Sequence, residues 1–106
     1  MQFRGGMQEL MRQANRVQRK IEERREELKD QEFQADAGGG RVEAVVNGGA
    51  EVVRVGIDPA LFGEEDREMV EDLVAAAVNA ALAKARETVD AEIEKVSGGL
   101  KIPGVG

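Results

Sequence analysis

Four cations near the amino end have the most chemistry to offer. Arg12, Arg16 and Arg19 fall at i, i+4 and i+7, with Lys20 next to the last. On a helix that spacing puts them on one side. A guanidinium presents a planar fork of donors that matches phosphate oxygens, and an ammonium adds a compact charge. Arg12–Arg16 and Arg16–Lys20 are like-charge i,i+4 pairs, which cost a helix roughly 0.2–0.5 kcal/mol each. Helix stability therefore does not explain the spacing, whereas a polyanion partner would. The plainer alternative is a solvated helix face. It gains ground past Lys20, where Arg19 can pair with Glu22 or Glu23 and Arg25 lies near Glu22. Arg4 and Lys101, close to the two ends, are placed to add phosphate contacts.

The charge distribution singles out the same turn. The 106 residues carry a formal net charge of −6, which argues against a nucleic-acid partner. Residues 1–20, however, hold five basic side chains against Glu9 alone; the remaining residues hold ten basic and twenty acidic ones. Such asymmetry marks a local polyanion-binding surface.

Most other reactive chemistry is missing. There is no His and no Cys, which excludes the usual zinc, haem and iron–sulfur sites, thiol nucleophiles, His-based triads and disulfides. Ser97 and Thr88 are the single serine and threonine, and Tyr is absent. Carboxylates, lysines and arginines catalyse only in a tuned pocket, and so short a chain has few residues to build one. The expectation is a non-enzyme with no metal, cofactor or small-molecule substrate. Gly38-Gly39-Gly40 lacks the Lys-Ser/Thr of a phosphate-binding loop and reads as a turn. The cluster Glu64, Glu65, Asp66 lacks calcium-loop spacing. The three aromatics, Phe3, Phe33 and Phe62, are not interleaved with cations as single-strand binders require, so contact with duplex backbone is the expected mode. The first six residues hold no apolar signal region, and no apolar run nears the ~20 residues of a membrane span. A soluble cytoplasmic protein without membrane contact is the expectation.

The elements that would position the cations follow from periodicity. Residues 7–31 contain no Gly or Pro, and Met7, Leu10, Ala14, Val17, Ile21 and Leu28 form a narrow heptad strip with Arg24 in its seam. That predicts a helical arm of about 37 Å. Residues 32–57 read as three antiparallel strands: Phe33–Ala37 alternates, the glycine run turns, Arg41–Val46 is β-branched, and Asn47-Gly48 signals a hairpin before Ala50–Ile57. In the last strand Val53, Val55 and Ile57 fall on one face, and Val52, Arg54 and Gly56 on the other. Asp58-Pro59 caps a short turn through Phe62, interrupted at Gly63. Acidic residues then open a long helix over 64–97 with Met69, Leu73, Val74, Ala77, Ala81, Ala85, Val89, Ile93 and Val96 at helical spacing. Gly98 and Gly99 stop it, leaving a flexible tail over 98–106. The fold class is α+β, a single domain in the order α-β-β-β-α. Its helices are too long for so small a sheet, which implies a homodimer with a joint core and projecting arms. The remaining cations have structural readings: Lys84, Arg86 and Lys95 beside Glu87, Asp90 and Glu92, and Arg41 and Arg54 on the exposed sheet face. Arg24 either sets helix register or points outward, and Asn79 reads as a packing residue.

These residues carry a family resemblance. Gly39-Gly40-Arg41-Val42, Val46-Asn47-Gly48, the run Val52 to Leu61 and the run Glu71 to Ala81 resemble the core of the YbaB/EbfC nucleoid-associated proteins. Met7 to Ala14 and Ser97-Gly98-Gly99-Leu100 with Pro103-Gly104 resemble the family's ends. The likeness covers nearly the whole chain; the acidic second half of the first helix and Arg24 in its seam depart from the pattern. It implies a bacterial cytoplasmic homodimer, tweezer-like in shape, that binds DNA and compacts or organises the nucleoid, with consequences for gene expression. Two readings follow. In the first, a dimer binds double-stranded DNA with low sequence specificity through Arg12, Arg16, Arg19, Lys20, Arg4 and Lys101. In the second, a protein-interaction or chaperone-like adaptor clasps a partner chain between helical arms, a role that an unpaired apolar stripe near the arm tips would favour.

Overall fold

The computed structural model describes residues 2–64 and 67–98, and the side chains of residues 6–63 and 67–98. Its elements are α1 (Gln2–Leu28), β1 (Glu32–Ala37), β2 (Val42–Asn47), β3 (Val52–Ile57), α2 (Leu61–Glu64) and α3 (Arg67–Ser97). The expected α-β-β-β-α order is present, with an open antiparallel sheet in the order β1-β2-β3. The molecule is long and thin, 77 × 19 × 16 Å. Its radius of gyration of 20.3 Å is well above the roughly 13 Å of a compact chain of this length.

The first helix begins earlier than its glycine-free stretch, running through Gly5 and Gly6, and ends earlier, at Leu28. Its C-terminal end is closed by other parts of the chain. Gln31 N–H donates to the Leu28 carbonyl at 3.1 Å, and the β2–β3 turn supplies two more donors. Gly48 N–H reaches the Gln31 carbonyl at 2.9 Å and Gly49 N–H the Lys29 carbonyl at 3.2 Å. These bonds satisfy carbonyls near a terminus that the helix itself leaves without donors. They also seat the turn against the helix. A Cβ on Gly48 would stand 2.0 Å from the Leu28 carbonyl oxygen.

That contact revises the reading of Asn47-Gly48. The loop is longer than a two-residue turn, with Asn47 N–H bonded to the Glu51 carbonyl at 2.9 Å. The left-handed residue is Ala50, at φ 62°. Asn47 Oδ1 organises the loop by accepting from Gly49 N–H and Glu51 N–H, each at 3.0 Å. Gly48 is needed for closeness of approach, not for its φ. The glycine run between β1 and β2 does turn on backbone freedom, since Gly38, Gly39 and Gly40 all have positive φ.

Strand register corrects one face assignment. Val42, Ala44 and Val46 pair with Ala37, Ala35 and Phe33 on one side and with Ile57, Val55 and Val52 on the other. Directly paired residues share a face, so this set forms the core side. The register shifts between Val45 and Val46, leaving Val53 as the extra residue of a bulge. Val52 thereby takes the place expected of Val53, on the face of Val55 and Ile57. Across the outer face, Arg54 pairs with Glu43 at 2.7 Å, as expected for a solvent-side cation. Arg41 instead folds back onto its own turn, its Nε donating to the Gly38 carbonyl at 2.9 Å.

Helix α3 does two jobs. Its first half covers the sheet: Val70, Ala77, Ala81 and Ala85 pack with Phe33, Val42, Ala44, Val46 and Leu61. Its second half meets α1, where Val89 and Ile93 bury Ile21 and Leu28, flanked by Val17 and Val96. Val70 occupies the buried position expected of Met69, which is 43% exposed: it stands seven residues, about two helical turns, before the buried Ala77. The short turn before α3 is capped as expected, Ala60 N–H donating to Asp58 Oδ1 at 3.0 Å. It continues through Gly63 to Glu64, and the long helix is described from Arg67, not from 64.

Arg24 resolves to the first of its two readings. Its guanidinium spans the helix pair, donating to Glu92 on α3 at 2.5 Å and to Glu27 on its own helix at 2.7 Å. Lys95 donates to the other Glu92 oxygen at 2.8 Å. Hydrogen bonds from Lys95 and then Arg24 hold the Glu92 carboxyl below the usual glutamate range; bonds to Glu92 and Glu27 raise Arg24. A carboxyl whose folded pKa is depressed contributes stability above its unfolded value, and that contribution is lost as pH falls through the folded one.

Two outcomes follow. Gly48→Ala destabilises the fold by about 1–3 kcal/mol through overpacking at the end of α1, measured by urea unfolding at fixed protein concentration. Gly49→Ala, whose Cβ would meet Asn47 Oδ1 at 3.3 Å, costs less. In hydrogen exchange, Glu92→Gln lowers protection of the Val17–Arg24 amides a few-fold at pH 6. Acidifying the native chain below about pH 4 lowers protection in the same stretch, and acidifying the variant adds little to its existing loss.

Candidate nucleic-acid interface

The candidate cations stand on the part of α1 that extends past its contact with α3. Val17 and Ile21 are the first α1 residues in that contact, and every described side chain from Met7 to Arg16 is exposed. Helix α1 stays continuous here because its Gln, Glu, Arg and Lys content favours helix without burial. Arg12 to Lys20 spans about 12 Å of axis, on the side turned away from the apolar strip.

Arg16, Arg19 and Lys20 are exposed and have no ion pair or hydrogen bond among the described residues. The pairings expected of Arg19 with Glu22 or Glu23 do not form, so that cation is more available than its spacing suggested. Arg12 is less so: its Nη1 lies 3.6 Å from Glu9 Oε2, with both side chains more than half exposed. A pair of that length in water contributes little and is readily exchanged for another anion. The patch therefore holds three open cations and one loosely held. Arg4 lies in α1, but its side chain, like all of Lys101, falls outside the described residues.

Past Lys20 the helix neutralises two of its cations. Arg24 is committed to Glu92 and Glu27, and Lys29 pairs with Glu26 at 3.0 Å. Arg25 was expected near Glu22, yet it is exposed without an ion pair among the described residues. On α3, Lys95 pairs with Glu92 as expected, while Lys84 donates to the Gln34 carbonyl at 3.1 Å instead of a carboxylate. Arg86 has no such partner among the described residues. Arg25 and Arg86 are open cations that spacing assigned to pairs. Carboxylates at i+3 or i+4 are opportunities for pairing, and two long side chains in water often leave them unused.

The other described surfaces show different features. Among the described residues no three acidic side chains gather closely enough to hold a metal ion, and no helix is long and apolar enough to cross a membrane. A shallow dent, open to solvent, is lined by Gln34, Ala35, Asp36 and Lys84. What the geometry can do chemically is attract anions along one flank of a projecting helix.

Known proteins share this sequence and shape. A 47% identical relative, from Myxococcus xanthus, matches over 95 residues, covering 90% of each chain, and is called a nucleoid-associated protein. Another so called, from Clostridium kluyveri, is 44% identical over 101 residues, covering 95% of this chain and 89% of its own. The crystal structure of the uncharacterized protein HP0035 from Helicobacter pylori aligns with a TM-score of 0.56 at 26% identity, covering 85% of this chain and 93% of that one. The YbaB/EbfC DNA-binding family matches residues 3–100. The chain belongs to that family.

Proposed function

We infer that this protein is a nucleoid-associated DNA-binding protein that grips double-stranded DNA as a homodimer in the bacterial cytoplasm. It acts through phosphate contacts with low sequence specificity and so organises the chromosome. The observation that carries the reading is the group Arg16, Arg19 and Lys20, solvent-facing and without counter-ions among the described residues, with Arg12 held loosely beside it. The names of the Myxococcus and Clostridium relatives support the nucleoid as its place of action. Cations on an otherwise acidic chain localise binding to the arms, because the remaining surface repels a polyanion. No aromatic platform accompanies them, which favours duplex backbone over unstacked bases.

The homodimer has its own support. Strand β3 is an edge strand, and α3 lies over β1 and β2 with little cover for β3. Val52, Val53 and Val55 are 48%, 50% and 36% exposed, and Phe62 beyond them is 71% exposed. An open apolar edge invites pairing with another chain. A second copy covering it would place two arms on one particle and give two cationic flanks to bracket a duplex. The adaptor reading draws on a different feature, the exposed Met7, Leu10 and Met11 near the amino end of α1.

Fluorescence anisotropy on duplex DNA tests the binding mode. If each protomer neutralises three to four phosphates, the log–log salt dependence of affinity has a slope of about −5 to −7; absence of binding at low salt, or a slope near zero, rejects it. Charge reversal to Glu at Arg12, Arg16 and Arg19 together abolishes DNA binding while light scattering still reports a dimer. Unchanged affinity in that variant moves the interface elsewhere on the chain.

A further inference from the structure

The open cations of α1 have counterparts elsewhere on the chain. On α3, Glu87, Asp90 and Glu94 are exposed, and their carboxylates have no ion pair or hydrogen bond among the described residues. Nearby cations leave them unneutralised: Lys95 is committed to Glu92 at 2.8 Å, and Arg86 is unpaired among the described residues. Val89 and Ile93 of the same turns are buried against α1, so the row lies round the helix from that seam. Alone, such a row is an ordinary solvated helix face. Its spacing sets it apart. Read forward, Arg12, Arg16 and Arg19 step by four residues and then three. Read backward, Glu94, Asp90 and Glu87 step by four and then three as well. Two helices laid antiparallel therefore bring Arg12 level with Glu94, Arg16 with Asp90 and Arg19 with Glu87, over about 10 Å of axis.

The row does not serve the cations of its own chain. Arg24 meets Glu92, which fixes the level of α1 against α3 in their antiparallel pair. Arg16 lies eight residues before Arg24, whereas Asp90 lies two before Glu92 instead of eight after it. The offset is ten residues, about 15 Å of axis, and it is the same for the other two pairs. We propose that the acidic row of α3 receives the cationic flank of α1 from a second copy of this chain. Two different surfaces meet in that contact, so each copy still offers one free row of each sign, and association continues with concentration. Each exposed pair is weak by itself; three in one register act together, and salt disperses them. The apolar β3 edge takes no part in it.

Light scattering at increasing protein concentration tests this. In about 0.01 M salt the native chain is expected to rise in mass about two-fold or more, and in about 1 M salt to keep one fixed mass, as the Debye length shrinks from ~30 Å to ~3 Å. Two variants isolate the rows. Glu87→Gln/Asp90→Asn/Glu94→Gln keeps the cations and loses the acids; Arg12→Glu/Arg16→Glu/Arg19→Glu keeps the acids and loses the cations. Each alone is expected to hold its mass constant in low salt, with helix content by circular dichroism unchanged. Mixing them is expected to restore association, since each supplies the row that the other lacks. A native mass independent of salt and concentration, association of either variant alone, or a mixture that stays apart overturns the proposal. None of these readouts involves DNA, so failure here is distinct from failure of the binding mode.

Discussion

The seating of the β2–β3 turn on the end of α1 is the constraint on which the arm depends. A helix of 27 residues with one narrow apolar strip has little to hold it to a three-stranded sheet. Its direction is set where Gly48 comes within van der Waals limits of the Leu28 carbonyl and two backbone bonds close the gap. Backbone hydrogen bonds are directional, so a turn locked by Asn47 also locks the helix axis. The Arg24–Glu92 bridge acts further along and resists swing about that seat. Together they define where the cationic flank stands relative to the sheet.

Electrostatics divides the same helix into two regimes. In its sheet-proximal half, Arg24 and Lys29 meet carboxylates on their own helix or on α3 and are spent internally, while Arg25 stays open. Toward the tip, acids other than Glu9 are missing, and the field is left to act outward. A net charge of −6 strengthens this contrast, because a polyanion approaching any other face meets repulsion. Acidity elsewhere thus aids orientation at the arm.

Much of this was legible in the residues, and the exceptions have physical reasons. The heptad strip from Met7 to Leu28 contained the packed Ile21 and Leu28 but did not show that Met7, Leu10 and Ala14 would be exposed, and glycine placement identified the first turn. Val53 was misplaced because a bulge shifts the alternation by one, and nothing in a run of valines marks where the extra residue falls. Met69 was favoured over Val70 since either satisfies helical periodicity; the sheet, not the helix, selects between them. Gly48 looked like a turn residue and proved to be a spacing residue, a distinction that exists only once Leu28 is brought against it. At the candidate site, the clustering of Arg12, Arg16, Arg19 and Lys20 was readable, but the Arg12–Glu9 contact and the open state of Arg19 were not, because ion pairs in water are decided by small differences. The two destinies of Arg24 needed the partner helix to separate them.

The alanine row of α3 has one more implication. Ala77, Ala81 and Ala85 are at most 3% exposed, and a methyl group has no rotamers to exchange. Their contact with Val42, Ala44 and Val46 admits a single arrangement, with no alternative side-chain repacking to permit sliding. Sheet and helix are thereby fitted to each other by shape alone, whereas the side chains from Met7 to Arg16 of α1 have no such facing surface among the described residues.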